Sequence, residues 1–273
     1  MTDLSTKVEQ WINSHLDEKI LDLGSEKYEI VPTLNVPLLG KPIWVVKYKE
    51  STIIFSEKKW ISDLENLITK IDKEMLFSIY GTYELAKLTQ SGKFKVNGPS
   101  YYLFGDRDKC NLEVDYRVFI TDSEELESVD RNIFWHCYFD AAVSGFAVKN
   151  DGKVSALATV IDKGEDVYEI GMEVERSSQG LGMGRAVVNA AVQWILDIGG
   201  TPFATVGSFN VPSIRTLRSV GLTYYMTDMF GEPGDFAVPP QALGRPTKDM
   251  NIYNLYPDWA KNNMIKPKQS SNI

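Results

Sequence analysis

Histidine and cysteine are nearly missing from this chain. Its 273 residues hold two of each: His15 and His136, Cys110 and Cys137. Two distant cysteines make no disulfide framework. A zinc centre draws about four nitrogen, sulfur or oxygen ligands from close spacings. No such cluster stands in the sequence, so no metal is expected. Basic charge is short as well, with 29 Lys and Arg against 37 Asp and Glu, a net charge of −8. A nucleic-acid-binding protein usually carries a basic surplus, so no nucleic-acid partner is expected, although a small local anion site is not excluded. There is no run of about 18 apolar residues, which argues against a transmembrane helix. The opening residues MTDLSTKVEQW lack an apolar signal core. The expectation is no membrane and, by default, the cytoplasm.

What is present is ordinary globular composition, 43% hydrophobic and 24% charged, enough for one large domain or two average ones. His136 and Cys137 are adjacent in Phe134-Trp135-His136-Cys137-Tyr138-Phe139. A nucleophile–base pair needs side chains that face each other, and neighbouring residues point apart. The pair therefore reads as two buried residues in an aromatic helix or strand.

Periodicity predicts a helix over residues 3–21, strands over 43–48 and 51–55 joined at Lys49-Glu50, and helices over 62–71 and 80–88. Residues 90–92 and 97–100 read as turns. A charged break at 105–109 suggests a domain boundary. Beyond it, alternation at Val114, Tyr116, Val118 and Ile120 predicts a strand, and Asp122 caps a helix from Ser123. Strands follow over 145–149, 154–160 and 167–174, the first two joined by the Asn150-Asp151-Gly152 turn. A helix over 182–196 ends at Gly199-Gly200, followed by a strand at 201–206, a helix at 212–219 and a strand at 222–227. Residues 231–249 read as a loop, 250–255 as a possible last strand, and 266–273 as a frayed tail.

The densest chemical signal is Val174-Glu175-Arg176-Ser177-Ser178-Gln179-Gly180-Leu181-Gly182-Met183-Gly184-Arg185, between a strand and a helix. Glycines admit close approach of a ligand to the main chain. The first N–H groups of a helix lack internal partners and carry partial positive charge, which makes a site for phosphate. No Lys-Ser or Lys-Thr follows, as a Walker loop requires. The glycines are spaced two and two, not as G-x-G-x-x-G, and Gly200-Thr201 stand where a ribose-binding acid belongs. A tight turn without ligand remains an alternative.

This spacing resembles the GNAT acetyltransferase superfamily, whose acetyl-coenzyme A loop reads Q/R-x-x-G-x-G/A. Gln179, Gly182 and Gly184 fill the pattern, with Val174 at the strand end. A second signature fits downstream in FNVPSIRTLRSVGL, at Asn210, Ser213, Gly221 and Leu222. The resemblance covers residues 112–230. It implies an α/β (α+β) fold with a mixed central sheet flanked by helices, placed over residues 111–273; residues 1–110, before the charged break and outside the resemblance, are expected to form a smaller α+β N-terminal domain. It also implies an N-acetyltransferase with acetyl-CoA as cosubstrate and no metal, acting on a small-molecule or peptide amine, with a homodimer as a further expectation. A non-catalytic acyl-CoA sensor or interaction module is the alternative.

By the same resemblance, the fourth and fifth strands splay and admit the pantetheine arm. Met172 and Val174 offer it backbone groups. Gln179, Gly180, Leu181, Gly182, Met183, Gly184 and Arg185 hold the pyrophosphate, while Asn210 and Ser213 orient the thioester end. Asn210 is equally a good helix cap. Strand alternation puts Glu169, Gly171, Glu173 and Glu175 on one face. Glu173 is the first choice for the base and Glu169 the second; a solvated edge or a pair with Arg176 is the plain alternative. The family's tyrosine, seven residues after the motif Asn, is Leu217 here. Tyr224 or Tyr225 stands as a substitute proton donor. Tyr101-Tyr102-Leu103-Phe104 is a pocket wall or plain core.

Overall fold

A computed structural model describes residues 3–14, 28–32 and 42–234. Helix α1 (Leu4–Ser14) buries Leu4, Val8, Trp11 and Ile12 on the predicted stripe. The remainder of the predicted 3–21 helix lies outside the described residues, as do the possible strand at 250–255 and the tail at 266–273. A short strand that periodicity missed, β1 (Tyr28–Pro32), precedes β2 (Ile43–Tyr48) and β3 (Ser51–Ser56). Then come helices α2 (Ile61–Ile68), α3 (Lys73–Leu76) and α4 (Ile79–Thr89), and a long strand, β4 (Phe94–Phe104). The second half holds β5 (Val118–Ile120), α5 (Ser123–Ser128), β6 (Ser144–Asn150), β7 (Lys153–Asp162), β8 (Val167–Val174), α6 (Met183–Asp197), β9 (Thr201–Gly207), α7 (Val211–Ser219) and β10 (Thr223–Pro233).

Three expectations need correction. The turn residues 97–100 lie inside β4, because Gly98-Pro99 sits where the β4–β10 ladder shifts register, and the chain continues extended on both sides. A bulge absorbs turn-type residues without ending a strand. The strand expected from Val114 shrinks to Val118–Ile120; Val114 and Tyr116 are 67% and 96% exposed, so their alternation reflects no buried face. Strand β10 runs on to Pro233, where a loop from 231 was expected, because Phe230–Pro233 pairs with Phe94–Asn97 of β4.

All ten strands form one mixed sheet, in the order β1-β3-β2-β10-β4-β9-β8-β7-β6-β5. Only β1/β3 and β8/β9 pair in parallel. Strand β4, from the N-terminal side of the expected boundary, stands between β9 and β10 from the other side. The sequence break at 105–109 thus falls in a connection and does not interrupt the sheet.

Alternation along the strands divides the core. On β4, Leu103 packs with α6 and α7, while Tyr102 and Phe104 turn to the opposite face, where Trp11 of α1 lies. Trp11 meets Phe104 and Phe203 with ring centres 5.6 and 5.1 Å away. On β2, Trp44 and Val46 join the α1 face, and Ile43 and Val45 join the core under α2 to α4. Val167 of β8 is on the α1 face; by strand alternation Glu169, Gly171 and Glu173 share that face.

Helix α5 starts as predicted, with Asp122 accepting a hydrogen bond from the Glu125 N–H at 2.8 Å. An Asp122→Ala change is expected to lower stability by about 1 kcal/mol. For a chain of this size that is about 2–4 °C in melting temperature, measured by calorimetry.

Candidate functional site

The site begins where two parallel strands part. Strands β8 and β9 pair over Val167↔Thr201, Tyr168↔Pro202 and Glu169↔Phe203 and no further. Beyond this point β9 is held by β4 alone, from Phe203↔Phe104 to Gly207↔Ser100, while β8 stays with β7 out to Val174↔Ala156. The diverging strands leave a cavity of about 210 Å³. Its walls include Met172 of β8, Thr205 of β9, Ser100 of β4, and Asn210, Ser213 and Leu217 at and in α7.

At the outer end of β8 the chain turns through Arg176–Ser178 into the glycine loop. Gly180 and Gly182 adopt φ of +79° and +76°, a region that favours glycine. Gly182 is the N-cap of α6, and its carbonyl accepts from the Ala186 N–H at 3.1 Å. The N–H groups of Met183, Gly184 and Arg185 therefore open the helix without intrahelical acceptors. A Cβ on Gly184 would come within 3.0 Å of Met172 Cε and 3.1 Å of Val174 Cγ2. Helix α6 can start this close to β8 only because that atom is absent. The Gln179 side chain folds back to donate to the Val174 carbonyl at 3.3 Å.

Two arginines frame the loop. Arg185 pairs with Glu113 at 2.9 Å. Arg117, which sequence reasoning passed over, pairs with Asp115 and reaches the Leu181 carbonyl at 3.4 Å. Its Nη2 is 3.9 Å from where a Gly182 Cβ would stand. Backbone donors, a helix start and two nearby arginines fit a pyrophosphate. Met172 stands between the two: its Cε lies against Gly184 of the loop, and the residue is part of the cavity wall.

On the α1 face of β8 lies the segment around His136. Cys137 is buried, and its Sγ faces the carbonyls of Leu157 and Gly171. The Tyr138 N–H donates to Thr159 Oγ1 at 2.7 Å. Gly171 admits this segment, since a Cβ there would be 2.3 Å from the His136 carbonyl oxygen. His136 and Cys137 point apart, as expected, but His136 is not buried and the segment is neither helix nor strand. His136 lines the cavity, and its Nδ1 lies 2.5 Å from Glu173 Oε2. Glu173 thus pairs with His136. Glu169 is 5% exposed; it accepts from Thr205 Oγ1 at 2.8 Å and lies 3.4 Å from Lys163 Nζ.

The expected residues gather unevenly. Met172, Asn210 and Ser213 line the cavity, and Asn210 also caps α7 by accepting from the Ser213 N–H at 3.3 Å. Leu217 stands in the wall where a tyrosine was sought, 2% exposed and packed in the core. Tyr224 is outside the lining, bonded to Thr227 at 2.9 Å and edge-on to Tyr101. The tyrosine in the lining is Tyr138. Burial, and then the charge of Glu169 and a hydrogen bond to it, push its phenol upward and keep it protonated. Beside the cavity, Asp228 pairs across the ladder with Ser100 and is wholly buried. Its Oδ2 accepts from Trp44 Nε1 at 2.9 Å and Tyr102 Oη at 2.7 Å. Its Oδ1 has no partner.

Tyr138, Arg117 and Ser100 carried no local signal, and His136 reads only as half of an adjacent pair with Cys137. They come from segments remote from the motifs and meet the site only through sheet order. Among the described residues no three His, Cys, Asp or Glu side chains gather to hold a metal, and no helix is long and apolar enough to cross a membrane.

Residues 110–222, about two fifths of the chain, match the Acetyltransferase (GNAT) family and form a GNAT domain. No curated protein matches the sequence. Among solved structures, the chain is similar to a GCN5-related N-acetyltransferase from Kribbella flavida: 20% identity, TM-score 0.44, covering 55% of this chain and 64% of that one. It is similar also to an acetyltransferase from the GNAT family of Colwellia psychrerythraea, with 18% identity, TM-score 0.41, and 54% and 60% covered. A third is yncA of Salmonella typhimurium, solved with its cofactor acetyl-CoA, with 16% identity, TM-score 0.34, and 44% and 95% covered. The chain spans less than two thirds of the length of the first two.

Proposed function

We propose that this chain, with its GNAT domain at residues 110–222, is an acetyl-CoA-dependent N-acetyltransferase that passes the acetyl group directly to a primary amine. The observation that carries this is the cavity where β8 and β9 part, bordered by Met172 beside the glycine loop, with the carboxylate of Glu173 paired to His136 of its wall. In this reading the N–H groups over residues 180–185, with Arg185 and Arg117, hold the pyrophosphate. Backbone groups of Met172 and Val174 take the pantetheine arm, and Asn210 and Ser213 orient its thioester end. Acetyl-CoA supplies an acyl carbon activated by a thiol leaving group.

An alkyl amine has a pKa of about 10.4, so a proton must be drawn from it before it attacks. Glu173 is the first choice for that draw. Glu169 is second, being buried and already engaged by Thr205 and Lys163. Direct transfer is supported by Cys137: burial, followed by the charge of Glu173, pushes its thiol up to about 12, and its sulfur faces two carbonyls. Tyr138 lines the cavity and Tyr224 does not, but burial and Glu169 weaken the Tyr138 phenol as an acid, so neither is assigned to protonate the departing thiolate.

We also propose the division at residue 110. The N-terminal part lends Ser100 to the cavity wall, and the GNAT part holds the coenzyme. One observation favours a second reading, an acyl-CoA sensor without turnover: Leu217 fills the wall position where the family places its tyrosine.

The test is a thiol-release assay with acetyl-CoA over a panel of amines, run beside melting curves with and without acetyl-CoA. Amine-dependent release with a raised melting temperature supports the enzyme. A raised melting temperature without release supports the sensor, and neither effect removes both, because a ligand of the native state must stabilise it.

A further inference from the structure

We infer that His136, not Glu173, receives the proton of the attacking amine, and that Glu173 is its positioning residue. This rests on the acetyl-transfer reading of the cavity and specifies its base. Glu173 Oε2 and His136 Nδ1 are 2.5 Å apart. An ionised carboxylate only accepts hydrogen bonds, so this contact places the imidazole proton on Nδ1 and leaves the Nε2 lone pair as the acceptor. His136 is one of the residues forming the cavity wall and Glu173 is not. The side chains are 40% and 21% exposed, so the carboxylate is the less accessible of the two.

The ring is held from several sides. Trp135 lies against it with centroids 3.4 Å apart. The next residues are pinned by Cys137 in the core and by the Tyr138 N–H bond to Thr159. Gly171 beneath gives the segment room to rest on β8. A base oriented by a third group is the arrangement that general-base catalysis uses.

The transfer balances as follows. The amine nitrogen forms the bond to the acetyl carbon and loses one proton to His136 Nε2. The carbon–sulfur bond breaks, and the thiolate takes up one proton to leave as the thiol. The imidazolium's proton offsets that uptake, so the neutral amine reacts with no net proton change; an acceptor that arrives as the ammonium ion has first given one proton to solvent.

The test compares steady-state kinetics of wild type, His136→Gln, His136→Ala, Glu173→Gln and the double variant His136→Gln/Glu173→Gln, using the best amine from the panel. Acetyl-CoA titration and melting curves on each protein report folding and coenzyme binding. His136→Gln is expected to lower kcat at least 100-fold, with acetyl-CoA affinity held within threefold, in the range for losing a positioned base. Glu173→Gln is expected to lower kcat about 10-fold, and the double variant to be no slower than His136→Gln. Added imidazole should restore turnover to His136→Ala in proportion to its concentration, which a structural role would not allow. The inference is overturned if His136→Gln keeps kcat within threefold of wild type, or if Glu173→Gln is the slower single variant. A wild type that releases no thiol with any amine overturns the acetyl-transfer reading itself, and this inference with it.

Discussion

Gly182→Asp is expected to leave the fold intact and to weaken acetyl-CoA binding at least 100-fold. Gly182 is the N-cap of α6 at φ +76°. Asp is among the few residues that tolerate this region, and a carboxylate at a helix start is favourable. The space is open, since the nearest atom to a Cβ there is Arg117 Nη2 at 3.9 Å. The same carboxylate would stand where a pyrophosphate needs bare N–H groups, and it would also engage Arg117. Repulsion between unit charges about 4 Å apart near a protein surface is about 4 kcal/mol, and 100-fold in affinity is about 2.7 kcal/mol. Calorimetric titration of both proteins with acetyl-CoA measures the ratio, and melting curves without ligand check the fold. Binding retained within threefold contradicts the assignment of the loop.

Asp228→Asn is expected to change stability in a pH-dependent way, with the variant gaining on wild type as pH rises. Asp228 is completely buried, and burial pushes its carboxyl from the ordinary 3.8 up to about 6. The Trp44 and Tyr102 hydrogen bonds pull it down in part, and the charge of Glu169 pushes it further up. A group whose folded pKa is raised favours folding fully below its unfolded pKa, and that contribution is lost as pH rises through the folded value. The window is therefore about pH 4 to 6. Across it the wild type loses about 3 kcal/mol from this one group, at roughly 1.4 kcal/mol per pKa unit. Asparagine can accept from Trp44 and Tyr102 at every pH and has no charge to bury. Denaturant unfolding at pH 4 and pH 8 should show the difference between the two proteins shifting toward the variant by about this amount. An unchanged difference contradicts the burial of a charged Asp228. The acid lies beside the cavity through its ladder partner Ser100, and perturbed carboxyls held at a stability cost concentrate at functional sites.

Local patterns made the second half of the chain legible. Gly180, Gly182 and the Asp122 cap follow from backbone conformations that few residue types serve, so single residues announced them. The alternation along β8 set Glu169, Gly171 and Glu173 on one face, and each meets its partners there. The misreadings have one cause, that tertiary pairing overrides local propensity. Gly98-Pro99 signals a turn, yet β10 pairs with β4 on both sides of it and keeps the strand extended. Val114 and Tyr116 alternate like a strand, yet no face receives them. His136 was set aside because adjacency to Cys137 says nothing about the strand beneath, and what brings it to Glu173, 37 residues on, is the bare backbone of Gly171. Asp228 was invisible because its partners, Trp44 and Tyr102, lie 184 and 126 residues away.

The most direct measurement on the central claim is the stoichiometry of the reaction: CoA thiol released against N-acetyl product formed, by mass spectrometry, with wild-type protein, acetyl-CoA and an amine from the panel. One thiol per acetylated amine, with release falling to background when the amine is omitted, is the result expected of direct transfer at the β8–β9 cavity. Thiol released without acetylated amine, or no release with any amine, would contradict it.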